Sequence, residues 1–266
     1  MRVALVTGGA RGIGRAIARQ LTNEGWFCVL ADLDGDRAVE TAATLGGVGM
    51  ALDVRDAEAF AALVRRVEAD HGPVDVLVNN AGIMPLGELT SQPVEMDHRQ
   101  IDINVHGVIA GMRAVLPHMR ARRRGHIVNI ASVAGRIGCA NGAVYSAAKH
   151  AVIGLTEAVR YEVEDEGVRL SYVCPAFVRT ELIQGAPGPR WPPPVAPEDV
   201  ARAVSRVLRT GQVDAYVPRI ARLSVILPAI LPRSIVEPVG KLFGLTRMFS
   251  AIDHGARAAY SERIEI

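Results

Sequence analysis

Up to about residue 218 the chain alternates short apolar runs with amphipathic stretches, and this alternation limits the fold more than any other feature. The runs at Val3–Thr7, Phe27–Ala31, Val48–Leu52, Val76–Val78, His126–Ile130, Arg169–Val173 and Asp214–Val217 read as strands. Between them Ile13–Asn23, Asp36–Thr44, Ala57–Asp70, Gln100–Arg120, Tyr145–Glu164 and Pro197–Arg209 carry a helical pattern. A strand that is apolar at successive positions is buried on both faces, so such strands separated by helices imply a parallel sheet covered on both sides. Right-handed crossovers then leave a doubly wound α/β domain as the expected architecture.

A chain of 266 residues, 49% apolar and 22% charged, is long enough for one sizeable core and too apolar for disorder. Its net charge of +2 argues against a surface built to hold phosphate backbones. The run Arg120 and Arg122–Arg124 reads instead as cations closing a helix C-terminus. Cys28, Cys139 and Cys174 are widely spaced, with no CxxC and no Cys/His cluster to hold a metal. They suit a reducing compartment, so a cytoplasmic location is expected. With Arg2 to Thr7 reading as a strand, no cleaved leader is expected, and no run of 18 uninterrupted apolar residues predicts a spanning helix.

Two stretches stand apart from this frame. Residues 184–197, QGAPGPRWPPPVAP, cannot sustain a helix or an inner strand and are expected to form a mobile substrate loop carrying Trp191. After a domain ending near residue 218, residues 219–266 form an apolar and basic extension whose Pro228, Pro232 and Pro238 are expected to break it into short pieces. Packing on the body, a subunit interface, a lid over an apolar substrate and a peripheral membrane contact are the roles open to it.

The chemistry begins where the first strand ends, in TGGARGIG. Glycines at 8, 12 and 14 let a pyrophosphate approach the backbone, and the following helix offers its N-terminal amides. Asp32 at the end of the second strand can accept both hydroxyls of an adenosine ribose and would repel a 2′-phosphate. Leu33 beside it favours NAD over NADP, while Arg11 in the glycine loop is a cation that suits a 2′-phosphate. Asp32 also has a plain alternative as a helix N-cap, for which Asp34 is the rival. Asp53 and Val54 follow the third strand, and Asn80, Ala81 and Gly82 of NNAG follow the fourth.

Ser132 lies just past the fifth strand, and Tyr145 and Lys149 are four apart on one helix face. An ammonium beside a phenol stabilises tyrosinate, so the expected effect of Lys149 is a lowered Tyr145 pKa. Of the 30 basic residues only Lys149 and Lys241 are lysine, which singles out Lys149 as a place where a compact ammonium is needed. Ser132 is placed to hold the reacting oxygen. Asn104 is a poor residue for a helix interior and predicts a local kink or a bound water.

With these motifs in this order, residues 1 to about 218 resemble the short-chain dehydrogenase/reductase family, in its TGxxxGxG and YxxxK branch. The resemblance implies a single Rossmann-like domain with a seven-stranded parallel sheet flanked by helices. It also implies reversible hydride transfer between a nicotinamide cofactor and an alcohol or ketone. By that resemblance Tyr145 is the acid–base, Lys149 lowers its pKa and holds the nicotinamide ribose, Ser132 orients the substrate oxygen and Asn104 anchors a relay water. Gly8, Gly12, Ile13 and Gly14 match the pyrophosphate loop, Asp32 the acidic NAD selector, Asp53 and Val54 the adenine contacts, and Asn80 the cofactor-loop amide. PAFVRT, with Pro175, Val178 and Thr180, is similar to the segment that meets the nicotinamide carboxamide, although Ala176 stands where the family usually has glycine.

The expectation is therefore an NAD-dependent enzyme acting on an apolar, lipid-, steroid- or terpenoid-like secondary alcohol or ketone, working as a homodimer or homotetramer. An NADPH-dependent reductase using Arg11 and a non-catalytic dinucleotide-binding protein are the alternatives.

Overall fold

The computed structural model describes residues 1–188, 193–232, 234, 235, 237, 238, 249 and 252–264. Seven strands, β1 (Arg2–Thr7), β2 (Trp26–Asp32), β3 (Val48–Ala51), β4 (Val74–Asn79), β5 (Gly125–Ile130), β6 (Val168–Pro175) and β7 (Asp214–Val217), form one sheet. Its order is β3-β2-β1-β4-β5-β6-β7 and every pairing is parallel. The chain steps outward from β1 to β3 and then returns to the other side of β1. The reversal between β1 and β4 opens a crevice at the carboxyl ends of the strands, where ligands bind in such folds.

The run of apolar residues in β1 has a direct physical outcome. Val3 and Leu5 face one core, with Phe60, Val64, Val108, Val115 and Val152. Ala4 and Val6 face the other, with Ile17, Leu21, Val200 and Val204. Helices α1 (Gly12–Asn23), α2 (Gly35–Ala43) and α7 (Pro197–Thr210) cover the second face, while α3 (Ala57–His71), α5 (Gly107–Ala121) and α6 (Ala143–Glu162) cover the first. The fold is therefore the Rossmann-like, doubly wound α/β arrangement read from the sequence.

Three details differ from the sequence reading. The long helix expected from Gln100 starts at Val94, as α4 (Val94–Ile101), and continues through a π-helical turn at Asp102–His106 into α5. Pro93 fits this earlier start because a helix N-cap needs no intrahelical N–H, and Glu95 and Asp97 favour the first turn. Helix α6 starts at Ala143, so Tyr145 lies inside its first turn rather than opening it. Pro228 does not break the extension, because helix α8 (Leu223–Ile230) passes through it and stops before Pro232.

Of the 184–197 loop, Val195 returns to bridge Val178 beside β6. Trp191 lies outside the described residues, as does most of 239–251. Among the described residues no helix is long and apolar enough to cross a membrane.

Candidate active site

The glycine loop is held from both sides of the switch point. Thr7 closes β1, and its Oγ1 accepts from the backbone N–H groups of Asn80 (3.0 Å) and Ala81 (3.1 Å). Asn80 Nδ2 donates in return to the carbonyls of Thr7 (2.9 Å) and Gly8 (3.1 Å). Gly12 has φ +53°, a left-handed conformation, and a Cβ there would point at Thr180 Cγ2, 3.5 Å away. At Gly14 a Cβ would stand 2.0 Å from the Gly8 carbonyl oxygen, so α1 can approach the loop only without a side chain. Arg11, the N-cap of α1, makes no side-chain capping bond. The first-turn amides of α1 thus keep the capacity to bind an anion at the mouth of a side-chain-free cradle.

The structure separates the two acidic candidates after β2. Asp34 is the helix cap: its carboxylate accepts from Arg37 N at 3.1 Å and pairs with Arg11 at 2.5 Å. Asp32 is left in the cleft, accepting from Ala10 N (3.0 Å) and Asp34 N (3.2 Å), which fixes its carboxylate between glycine loop and turn. Asp53 is gripped by the Arg55 guanidinium at 2.6 to 3.0 Å, which holds its carboxyl below the usual range. Val54 is buried beneath Gly107 and, with Asp53, lines the same cleft.

Deeper in, Ser132 sits in extended backbone past β5, its Oγ accepting from Ala134 N (3.1 Å) and lying 3.4 Å from the Pro175 carbonyl. Tyr145 and Lys149 share the face of α6 turned to this point, with Lys149 Nζ 5.7 Å from the Tyr145 ring centroid. Lys149 Nζ donates to the Ile130 carbonyl at 2.9 Å. Burial disfavours the charged form of each group: it brings the Lys149 pKa down to about 8 and pushes the Tyr145 phenol above its ordinary value, with Ser132 opposing that rise. The expected lowering of Tyr145 by Lys149 is therefore not what the chain alone produces, because desolvation is the largest cause acting on the phenol.

Asn104 lies in the π turn, fully buried, and clamps the loop after β4. Its Oδ1 accepts from Ile83 N and its Nδ2 donates to the Ile83 carbonyl, both at 2.8 Å. The kink expected at Asn104 is this π turn. Gly82 lies beneath it, where a Cβ would be 2.9 Å from Asn104 Oδ1. Pro175 ends β6, Val178 is buried, and Thr180 faces the glycine loop from the opposite wall.

All the expected residues but Gly14 line one cleft of about 1230 Å³ or, like Asn104, brace its wall. The glycine cradle, uncapped amides and Asp32 at one end suit a dinucleotide, and Ser132, Tyr145 and Lys149 stand at the other. Beyond them the cleft is apolar, with Met84, Ile137, Phe177 and Phe249. Phe177 and Phe249 stack at 5.3 Å. Sequence reasoning missed Thr7, Met84 and Phe177, and it missed Tyr260 and Arg257 of the C-terminal helix (His254–Ile264). Tyr260 also lines the cleft, and Arg257 is buried behind it. A polar helix with little sequence amphipathicity gave no signal of these contacts.

The family model described as short chain dehydrogenase matches residues 2–188. The protein named "Monensin polyketide synthase putative ketoacyl reductase" of Streptomyces virginiae is 40% identical over 69% of this chain and 73% of its own length. Oxidoreductase UcpA of Salmonella typhimurium is 35% identical over 78% of this chain and 80% of its own. A 2-dehydro-3-deoxy-L-rhamnonate dehydrogenase (NAD(+)) of a Sphingomonas species is 39% identical over 70% and 76%. With the sheet order, the cleft and these matches in agreement, the chain belongs to the short-chain dehydrogenase family and is an oxidoreductase of that type.

Proposed function

We propose that the chain transfers a hydride reversibly between NAD(H) and an apolar secondary alcohol or ketone, with Tyr145 as the acid–base. The observation that carries this reading is the single cleft holding Asp32 and the glycine cradle at one end and Ser132, Tyr145 and Lys149 at the other. A nicotinamide dinucleotide, when bound, supplies the hydride donor or acceptor. Gly8, Gly12, Ile13 and the α1 amides would hold its pyrophosphate, Asp32 its adenosine ribose, Asp53 and Val54 the adenine side, and Pro175, Val178 and Thr180 the carboxamide side.

Ser132 Oγ orients the substrate oxygen. The raised pKa keeps the Tyr145 phenol protonated in the resting site, ready to give its proton to a ketone oxygen. Alcohol oxidation needs the phenolate, so its rate rises with pH. Lys149, near pKa 8, exchanges protons in the neutral range and passes them on toward a water at Asn104.

NAD is favoured over NADP because Arg11 is already paired with Asp34, and a 2′-phosphate would meet the Asp32 carboxylate. The NAD(+) dehydrogenase among the relatives supports the same choice. Met84, Phe177 and Phe249 support an apolar substrate. The lid role of the extension is favoured by the burial of Phe249 and Tyr260 at the cleft. The exposed apolar side chains Leu223, Ile226 and Ile230 of α8 favour a further contact, with a second copy or a membrane surface, for a cytoplasmic homo-oligomer.

The test is absorbance at 340 nm with NAD and NADP across secondary alcohols of graded apolar bulk. Turnover with NAD should rise with bulk, and Tyr145→Phe should lose about 10²–10⁴-fold in rate while still binding NADH. Asp32→Ala should erode the preference for NAD; an unchanged preference would remove the role given to Asp32. A wild type that binds NADH and turns over nothing favours the binding-only alternative.

A further inference from the structure

We infer that the C-terminal helix is a working wall of the cleft, and that Arg257 is a positioning residue fixing the gap between the two loops that grip the apolar part of the substrate. This rests on the substrate class proposed above. The helix lies outside the region matched by the family model, residues 2–188.

Arg257 is 3% exposed, and its guanidinium is satisfied by main-chain carbonyls. Nη1 donates to the carbonyls of Leu182 (2.9 Å) and Gln184 (3.0 Å), in the segment after β6, and Nη2 donates to that of Met84, in the loop after β4. Neighbouring residues of the same helix and its cap tie down the same two segments. Tyr260 Oη accepts from Met84 N at 2.8 Å, and Arg263 pairs with Glu181 at 2.6 Å. The Arg257 and Arg263 guanidiniums lie 4.5 and 5.4 Å from the Tyr260 ring centroid. Asp253 caps the helix through Ala256 N (3.0 Å), and its own N–H donates to the Gly185 carbonyl at 2.8 Å.

A buried cation is a poor way to gain stability, since an apolar side chain of similar length avoids its desolvation. What the planar fork adds is geometry, because donors in fixed directions hold three carbonyls of two separate loops at set distances. Met84, Leu182 and Tyr260 line the cleft that contains Tyr145, so this spacing determines how wide a substrate can lie beside the phenol.

The experiment compares wild type, Arg257→Met and Arg257→Lys with NAD and two substrates, propan-2-ol and a long-chain 2-alkanol. Arg257→Met should raise KM for the long alcohol about ten- to a hundredfold, with kcat little changed and with NADH affinity and the KM for propan-2-ol unaffected. Arg257→Lys should recover part of the loss. Amide exchange of the same proteins should accelerate at Met84 and residues 182–186 and stay unchanged at Gly8–Gly14. Equal changes for both alcohols, or unaltered exchange at Met84, would overturn the inference. Should Arg257→Met fail to fold, Tyr260→Phe, which removes the acceptor for Met84 N, must shift KM for the long alcohol in the same direction. A wild type that oxidises neither alcohol overturns the proposed substrate class, and the exchange measurement then decides the clasp alone.

Discussion

Lys149→Met should make the ligand-free protein more stable at neutral pH, and the gain should vanish in mild alkali. Lys149 is 6% exposed, and burial takes its pKa from 10.5 to about 8. Below about pH 8 both folded and unfolded chains hold the proton, and the folded state carries the full penalty of a buried ammonium. Between about 8 and 10.5 the folded protein has released the proton and the unfolded chain has not, so this group's contribution to stability rises with pH. The penalty works out at about 3 kcal/mol at pH 7 and about 1 kcal/mol at pH 9.5.

Methionine removes that penalty, keeps most of the packing volume, and gives up the hydrogen bond to the Ile130 carbonyl, which is about 1 kcal/mol. The variant should therefore gain about 2 kcal/mol at pH 7 and almost nothing at pH 9.5. Urea titrations of both proteins at the two pH values measure this, since other alkaline titrations cancel in the difference. A variant less stable than wild type at pH 7, or a difference that does not shrink as pH rises, would refute the assignment of Lys149 as a buried cation held against its own stability.

Two further substitutions test the frame around it. Gly14→Ala puts a methyl 2.0 Å from the Gly8 carbonyl oxygen and must push α1 off the loop. It should destabilise by about 1–3 kcal/mol and weaken NADH binding, read by denaturation and by fluorescence titration. Asn104→Leu keeps the volume but leaves the Ile83 N–H without its partner and the Ile83 carbonyl with only the 3.4 Å bond from Gln100 Nε2, a destabilisation of about 1–3 kcal/mol by urea midpoint. An unchanged midpoint would mean that the clamp on Ile83 is dispensable.

The sequence by itself determined what depends on neighbours along the chain. Consecutive apolar residues in Val3–Val6 and Val76–Val78 can be buried only between two helical layers, so the parallel sheet follows from composition at adjacent positions. The glycines at 8, 12 and 14 and the four-residue spacing of Tyr145 and Lys149 are equally local signals. The sequence leaves Asp32 and Asp34 as rival caps of the second helix, and the bond from Arg37 N assigns the cap to Asp34.

The tertiary structure decided what depends on burial and on partners distant in sequence. No local pattern shows that Asn104 reaches Ile83 across 21 residues, or that a polar C-terminal helix lays Arg257 and Tyr260 against Met84. Charge behaviour was hidden for the same reason. Spacing alone gives an ammonium that should lower the Tyr145 pKa, but the sign is set by desolvation, which depends on what the whole fold packs around the phenol.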